Sequence, residues 1–116
     1  MFKLAPQSTY KRKVSLEIPG DFGKVEKASF NVEFRRIKQD EAAVLLDGFT
    51  NEKISDLECI SDNMVGWDGI KGENDEPLEF NEENLALVMN EIYAKRAITT
   101  AFFEDILGKN ALKKIS

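Results

Sequence analysis

The chain alternates apolar and polar positions twice before its period changes. Val14, Leu16 and Ile18 point one way and Lys13, Ser15 and Glu17 the other, which predicts a half-buried strand over 12–18. Pro19-Gly20 stops that strand with turn chemistry. A second alternation places Phe30, Val32 and Phe34 on one face and Ser29, Asn31, Glu33 and Arg35 on the other, predicting a strand over 28–36. The pair reads as an antiparallel hairpin with one wet face. Beyond Ile37 the period becomes helical. Ala42, Leu45, Leu46 and Phe49 recur at i, i+3, i+4 and i+7, with Asp40 and Glu41 in the first turn, predicting a helix over 39–49. Ile54, Leu57, Ile60 and Met64 form the next stripe, over 52–63, with Asn51 as its cap and Cys59 beside it.

Val65, Trp67 and Ile70 then predict a short third strand over 65–70, bend-prone because of Gly66, Gly69 and Gly72. Gly72 to Pro77 is a polar turn. Asn81 reads as the cap of a third helix over 82–92, on which Leu85, Val88, Met89 and Ile92 align. A fourth helix, over 94–107, buries Ala97, Ile98, Ala101, Phe102 and Ile106 and stops at Gly108. Phe103 and Leu107 widen its apolar face. Adjacent helical residues differ by about 100° in direction, so one of Phe102 and Phe103 is expected on the surface. The fold class is therefore α+β: a small antiparallel sheet of about three strands packed against about four helices. Residues 12–107 form the globular part of a single domain, 1–10 an extended arm, and 109–116 a basic, flexible tail.

Composition narrows the function. With 116 residues the chain is one domain that buries roughly two-thirds of its unfolded surface. No apolar run approaches the roughly 18 residues a membrane span requires, and the first residues lack a signal-peptide core, which points to the cytoplasm. The net charge of −5 argues against nucleic acid as a partner. Histidine is absent, which removes histidine-based triads and the commonest metal ligand. One cysteine, Cys59, makes no internal disulfide and no zinc cage, and reads as a packed small residue in a reducing compartment.

Several motif fragments carry nothing. Asp21-Phe22-Gly23 matches three letters of a kinase motif in a chain too short for a kinase. Gly20 to Lys24 lacks the spacing of a phosphate loop. The acidic run from Asp68 to Glu79 does not place calcium ligands in register. Glu82/Glu83 and Glu104/Asp105 are neighbours that diverge on a helix. No catalytic, cofactor or metal site is therefore assigned, and no enzyme. Trp67 has two readings, a core anchor at the sheet–helix junction and an interface hot spot. An exposed aromatic near Leu107 would mark a contact patch.

Three blocks together resemble the tail assembly chaperones of long-tailed phages and prophages. They are Phe30-Asn31-Val32-Glu33-Phe34-Arg35-Arg36, then Val65-Gly66-Trp67-Asp68-Gly69-Ile70, then Pro77-Leu78-Glu79-Phe80-Asn81-Glu82-Glu83-Asn84-Leu85. The closing helix adds Ala101-Phe102-Phe103-Glu104. The heavily acidic link between the second and third blocks departs from that pattern. The resemblance implies a non-enzymatic morphogenesis protein that coats the tape measure protein, keeps it soluble, extends to the major tail protein as a further partner, and forms homo-oligomers. The partner-binding residues expected under it are Trp67, Phe102, Phe103, Ile106 and Leu107. The alternative is a small structural or tail-completion protein retained in the virion.

Overall fold

The computed structural model describes Leu4 and residues 8–53 and 55–108. A three-stranded antiparallel sheet, in the order β1-β2-β3, carries four helices on one face. The strands are β1 (Thr9–Pro19), β2 (Val25–Arg35) and β3 (Met64–Asp68). The helices are α1 (Gln39–Thr50), α2 (Asp56–Asn63), α3 (Glu82–Met89) and α4 (Ile92–Leu107). The expected α+β class is the observed one.

Strand parity decides which side chains enter the core. Val14 pairs with Phe30, Tyr10 with Phe34, and Val32 with Trp67. Opposed residues share a sheet face, so these positions all look toward the helices. Val14, Val32 and Phe34 are sealed there together with Ile60, Ile98 and Phe102. The other face carries Lys11, Lys13, Glu33 and Asp68 and is open to water. A register shift between Glu33 and Phe34 lets Met64, not Val65, enter the core; Val65 stays exposed.

β1 begins at Thr9, inside the segment expected to be an arm, because Tyr10 extends the alternation and stacks against Phe34 at 5.9 Å. β2 begins at Val25, three positions before its expected start, where exposure of both faces leaves no pattern to read. The loop between β1 and β2 places Phe22 fully exposed at φ 59.

The boundary of α2 is a correction. Glu52 sits at φ 59, which ends helical backbone. Asn51 closes α1 instead, its Nδ2 donating to Asp47 O at 2.9 Å. Ser55 caps α2, its Oγ accepting from Glu58 N–H at 3.2 Å. Of the expected α2 stripe, Ile60 and Met64 are buried, Leu57 is exposed and Ile54 lies outside the described residues. The α3–α4 boundary also moves. Glu91 turns its carboxylate onto the N–H groups of Tyr93 and Ala94, at 3.1 and 2.9 Å, and starts α4 at Ile92. Ile92 is therefore an exposed first-turn residue of α4 and not part of the α3 stripe. The expected cap Asn81 is present: its Oδ1 accepts from Asn84 N–H at 2.8 Å. Gly108, at φ 84, ends α4. The expected basic tail from Lys109 lies outside the described residues, as do most residues of the expected arm.

Candidate partner-binding groove

Three pieces of chain converge beside the C-terminal end of α4. The chain ahead of β1 brings Leu4 and Ser8, and β1 itself brings Tyr10. The turn from β2 into α1 brings Arg35, Arg36, Ile37, Lys38 and Ala42. α4 contributes Phe102, Asp105 and Ile106. Between them lies a groove of about 930 Å³. Its floor is apolar: Phe102 and Ala42 are buried, and Ile37 and Ile106 are half-buried. Alternation on β1 delivers Tyr10, and the helical period of α4 delivers Phe102 and Ile106 on one stripe.

The rim is charged and ordered. Asp105 is held twice, by Arg12 Nε at 3.1 Å and by the Tyr10 hydroxyl at 3.1 Å. Arg12 Nη2 reaches Glu104 at 3.1 Å. Burial, and then the negative charge and hydrogen bond of Asp105, push the Tyr10 phenol well above its ordinary range. Arg36 lies over the Tyr10 ring at 5.0 Å, a cation–π contact. Arg35 is tied down by Glu41 at 3.0 Å and Asn63 at 2.9 Å. Among the described residues Arg36 and Lys38 have no carboxylate partner. The groove thus pairs a greasy floor with two unneutralised cations on a chain whose net charge is −5.

The five residues singled out from sequence are distributed differently. Phe102 and Ile106 line the groove. Phe103 is 4% exposed and Phe102 1%, so the expectation that one of them faces outward is corrected. α4 is covered on two sides: Phe102 meets Phe34 of the sheet at 5.0 Å, while Phe103 meets Phe49 of α1 at 4.8 Å. Two directions 100° apart both end in the core. Leu107 is half-buried against that core. Trp67 is not part of the groove's lining. It is half-buried on β3, edge-on to Phe80 at 4.9 Å, and its Nε1 donates to Leu78 O at 2.8 Å. There it anchors the excursion between Ile70 and Leu78, which is closed by Leu78 N–H on Ile70 O at 2.9 Å.

Tyr10, Arg36, Ile37 and Ala42 escaped assignment to a site. The parity Tyr10-Arg12-Val14-Leu16-Ile18 is visible in the sequence and could have placed Tyr10 on the helix side. Nothing local shows that the β2–α1 turn folds against the far end of α4. Among the described residues no group of three or more acidic or cysteine side chains is placed to hold a metal ion. No helix among them is long and apolar enough to cross a membrane.

Fold and groove define the class: a small α+β protein with an apolar, charge-rimmed concavity at its surface. Over residues 1–113 the chain matches the family described as phage tail assembly chaperone, and it belongs to that family. This is not an enzyme family. No curated protein and no solved structure matches the chain.

Proposed function

We propose that this tail assembly chaperone holds amphipathic helical segments of the tape measure protein in the groove between β1, the β2–α1 turn and α4. It thereby keeps that protein soluble in the host cytoplasm until the tail polymerises. The observation that carries this reading is the half-buried pair Ile37 and Ile106, seated on buried Phe102 and Ala42 beneath the cations Arg36 and Lys38. Such a surface suits a helix with an apolar stripe flanked by acidic residues, the helix-in-groove mode. Ile106 and Ile37, both half-buried in the groove, make the direct contacts, with Leu107 beside them, and the buried ring of Phe102 supports Ile106 from beneath. Phe103 and Trp67 contribute by fixing α4 and the 70–78 excursion in place. Copies of the chain self-associate around the cargo, and the major tail protein is a further partner at a later step.

The test is co-expression of the full chain with the tape measure protein of the same genome. The native chain is expected to raise the soluble fraction of that partner and to co-purify with it. Ile106→Glu combined with Arg36→Glu is expected to abolish both effects while the circular dichroism spectrum stays native. Undiminished capture by the double variant would remove the groove from this role.

A further inference from the structure

β1 forms one edge of the sheet, and its hydrogen-bonding phase is fixed. Arg36 N–H donates to Ser8 O, and Gly20 N–H to Lys24 O. Even-numbered positions of β1 therefore aim their backbone groups at β2, and odd-numbered positions aim theirs outward. Pro19, which has no N–H, falls on the outward row, where no ladder bond is lost. Among the described residues the partner on this row is Arg12, whose Nη1 donates to Lys13 O at 2.6 Å. A groove of about 550 Å³ runs between residues 12–17 and the Tyr93–Glu104 side of α4, beside this edge.

We infer that this edge pairs antiparallel with β1 of a second copy of the chain, about a two-fold axis through Val14. The inference rests on the self-association proposed above and assigns it a surface. In this register Lys11 faces Glu17 of the second copy and Lys13 faces Ser15 of the second copy. All four positions lie on the outward row, so ladder phase and charge agree. Within one chain Lys11 already faces Glu33 and Glu17 faces Lys27 across β2. The joined sheet thus carries the row Glu33, Lys11, Glu17 of the second copy, Lys27 of the second copy, alternating in sign throughout. On the helix side Val14 meets its symmetry mate. Half-buried Ile18 meets Tyr10 of the second copy, and Leu16 covers the aliphatic stem of Arg12. Arg12 gives up Lys13 O to Ser15 N–H of the second copy and keeps Glu104 and Asp105.

Neighbouring registers are worse for stated reasons. Sliding one way sets Lys13 against Lys13, a like-charge pair. Sliding the other way keeps an opposite-charge pair, Lys13 against Glu17, but sets Lys11 against Pro19, which cannot donate, so the ladder loses a hydrogen bond at each end. A slip by one residue pairs outward with inward positions and inverts the faces. Edge lysines ordinarily discourage strand addition; here Lys13 excludes one neighbouring register and Pro19 disfavours the other.

Sedimentation of the full chain is expected to show a reversible dimer. Ser15→Pro removes an outward N–H without touching the β1–β2 ladder. It is expected to weaken dimerisation by about tenfold or more while leaving the circular dichroism spectrum of the folded chain, and its melt at dilutions where the native chain is monomeric, unchanged. Under oxidising conditions a mixture of Lys13→Cys and Ser15→Cys chains is expected to cross-link as mixed dimers, and neither variant alone. A chain that sediments as a monomer at every concentration removes self-association altogether. A dimer indifferent to Ser15→Pro keeps self-association and overturns this surface. Self-cross-linking of Lys13→Cys alone or Ser15→Cys alone overturns the register, and the cross-linking result stands even if the proline variant misfolds.

Discussion

Tyr10 joins three elements through one side chain. Its ring packs on Phe34, its face carries Arg36, and its hydroxyl donates to Asp105. Holding the phenol proton is easier in the folded state, because burial and Asp105 both oppose the phenolate. The folded-state value lies above the unfolded one, so this contribution is complete below about pH 10 and declines as pH rises beyond it. Tyr10→Phe is expected to be less stable than the native chain by about 1 kcal/mol at pH 7, from the lost hydrogen bond. The gap should narrow or reverse above about pH 10, where the native chain's unfolded state gains by ionising. Urea unfolding of both proteins across pH 7 to 11 reads this directly; a constant gap would mean that the Asp105 contact does not govern the phenol. Cys59 illustrates a residue whose assignment was readable: it was expected as a packed small side chain beside the α2 stripe, and it is buried.

Caps and loop anchors govern the elements. Trp67 stitches β3 to the segment between Ile70 and Leu78 by one hydrogen bond and one edge-on aromatic contact. Trp67→Phe keeps an aromatic ring but leaves Leu78 O without that donor. It is expected to cost about 1–2 kcal/mol and to speed amide exchange within residues 70–78 more than in α4. Hydrogen-exchange mass spectrometry checks the pattern; uniform acceleration throughout the chain would mean that Trp67 supports the global core instead. At this scale the helical stripes were legible because burial follows the 3.6-residue period. Ala42, Leu45, Leu46 and Phe49 all turn inward on α1. Boundaries were less so. The sequence around Asn90-Glu91-Ile92 continues an apolar period, and only the side-chain cap by Glu91 breaks it.

The whole molecule is negative, yet among the described residues the groove presents Arg36 and Lys38 outside any ion pair. Capture of an acidic-flanked helix should therefore combine an apolar part that salt leaves intact with an electrostatic part that salt removes. Raising ionic strength from about 0.01 M to about 1 M shortens the screening length from roughly 30 Å to roughly 3 Å. Affinity for the tape measure segment is expected to fall severalfold, mainly through slower association. Titration calorimetry and stopped-flow binding over that range check this. An affinity independent of salt would remove the cationic rim from recognition.

Periodicity alone determined that this chain is α+β. It also determined which faces of its strands and helices are apolar, that Asn81 opens a helix and that Gly108 closes one. These are local properties, fixed by side-chain direction and by backbone groups that need partners nearby. Tertiary structure alone decided that both Phe102 and Phe103 are sealed, because that depends on α1 covering the side of α4 away from the sheet. It also decided that Tyr10, Arg36, Ala42 and Ile106 share one groove, since they come from segments distant in sequence and only packing brings them together. Trp67 was ambiguous for the same reason: its size marks it as an anchor, but what it anchors was set by the path of the chain through Leu78 and Phe80.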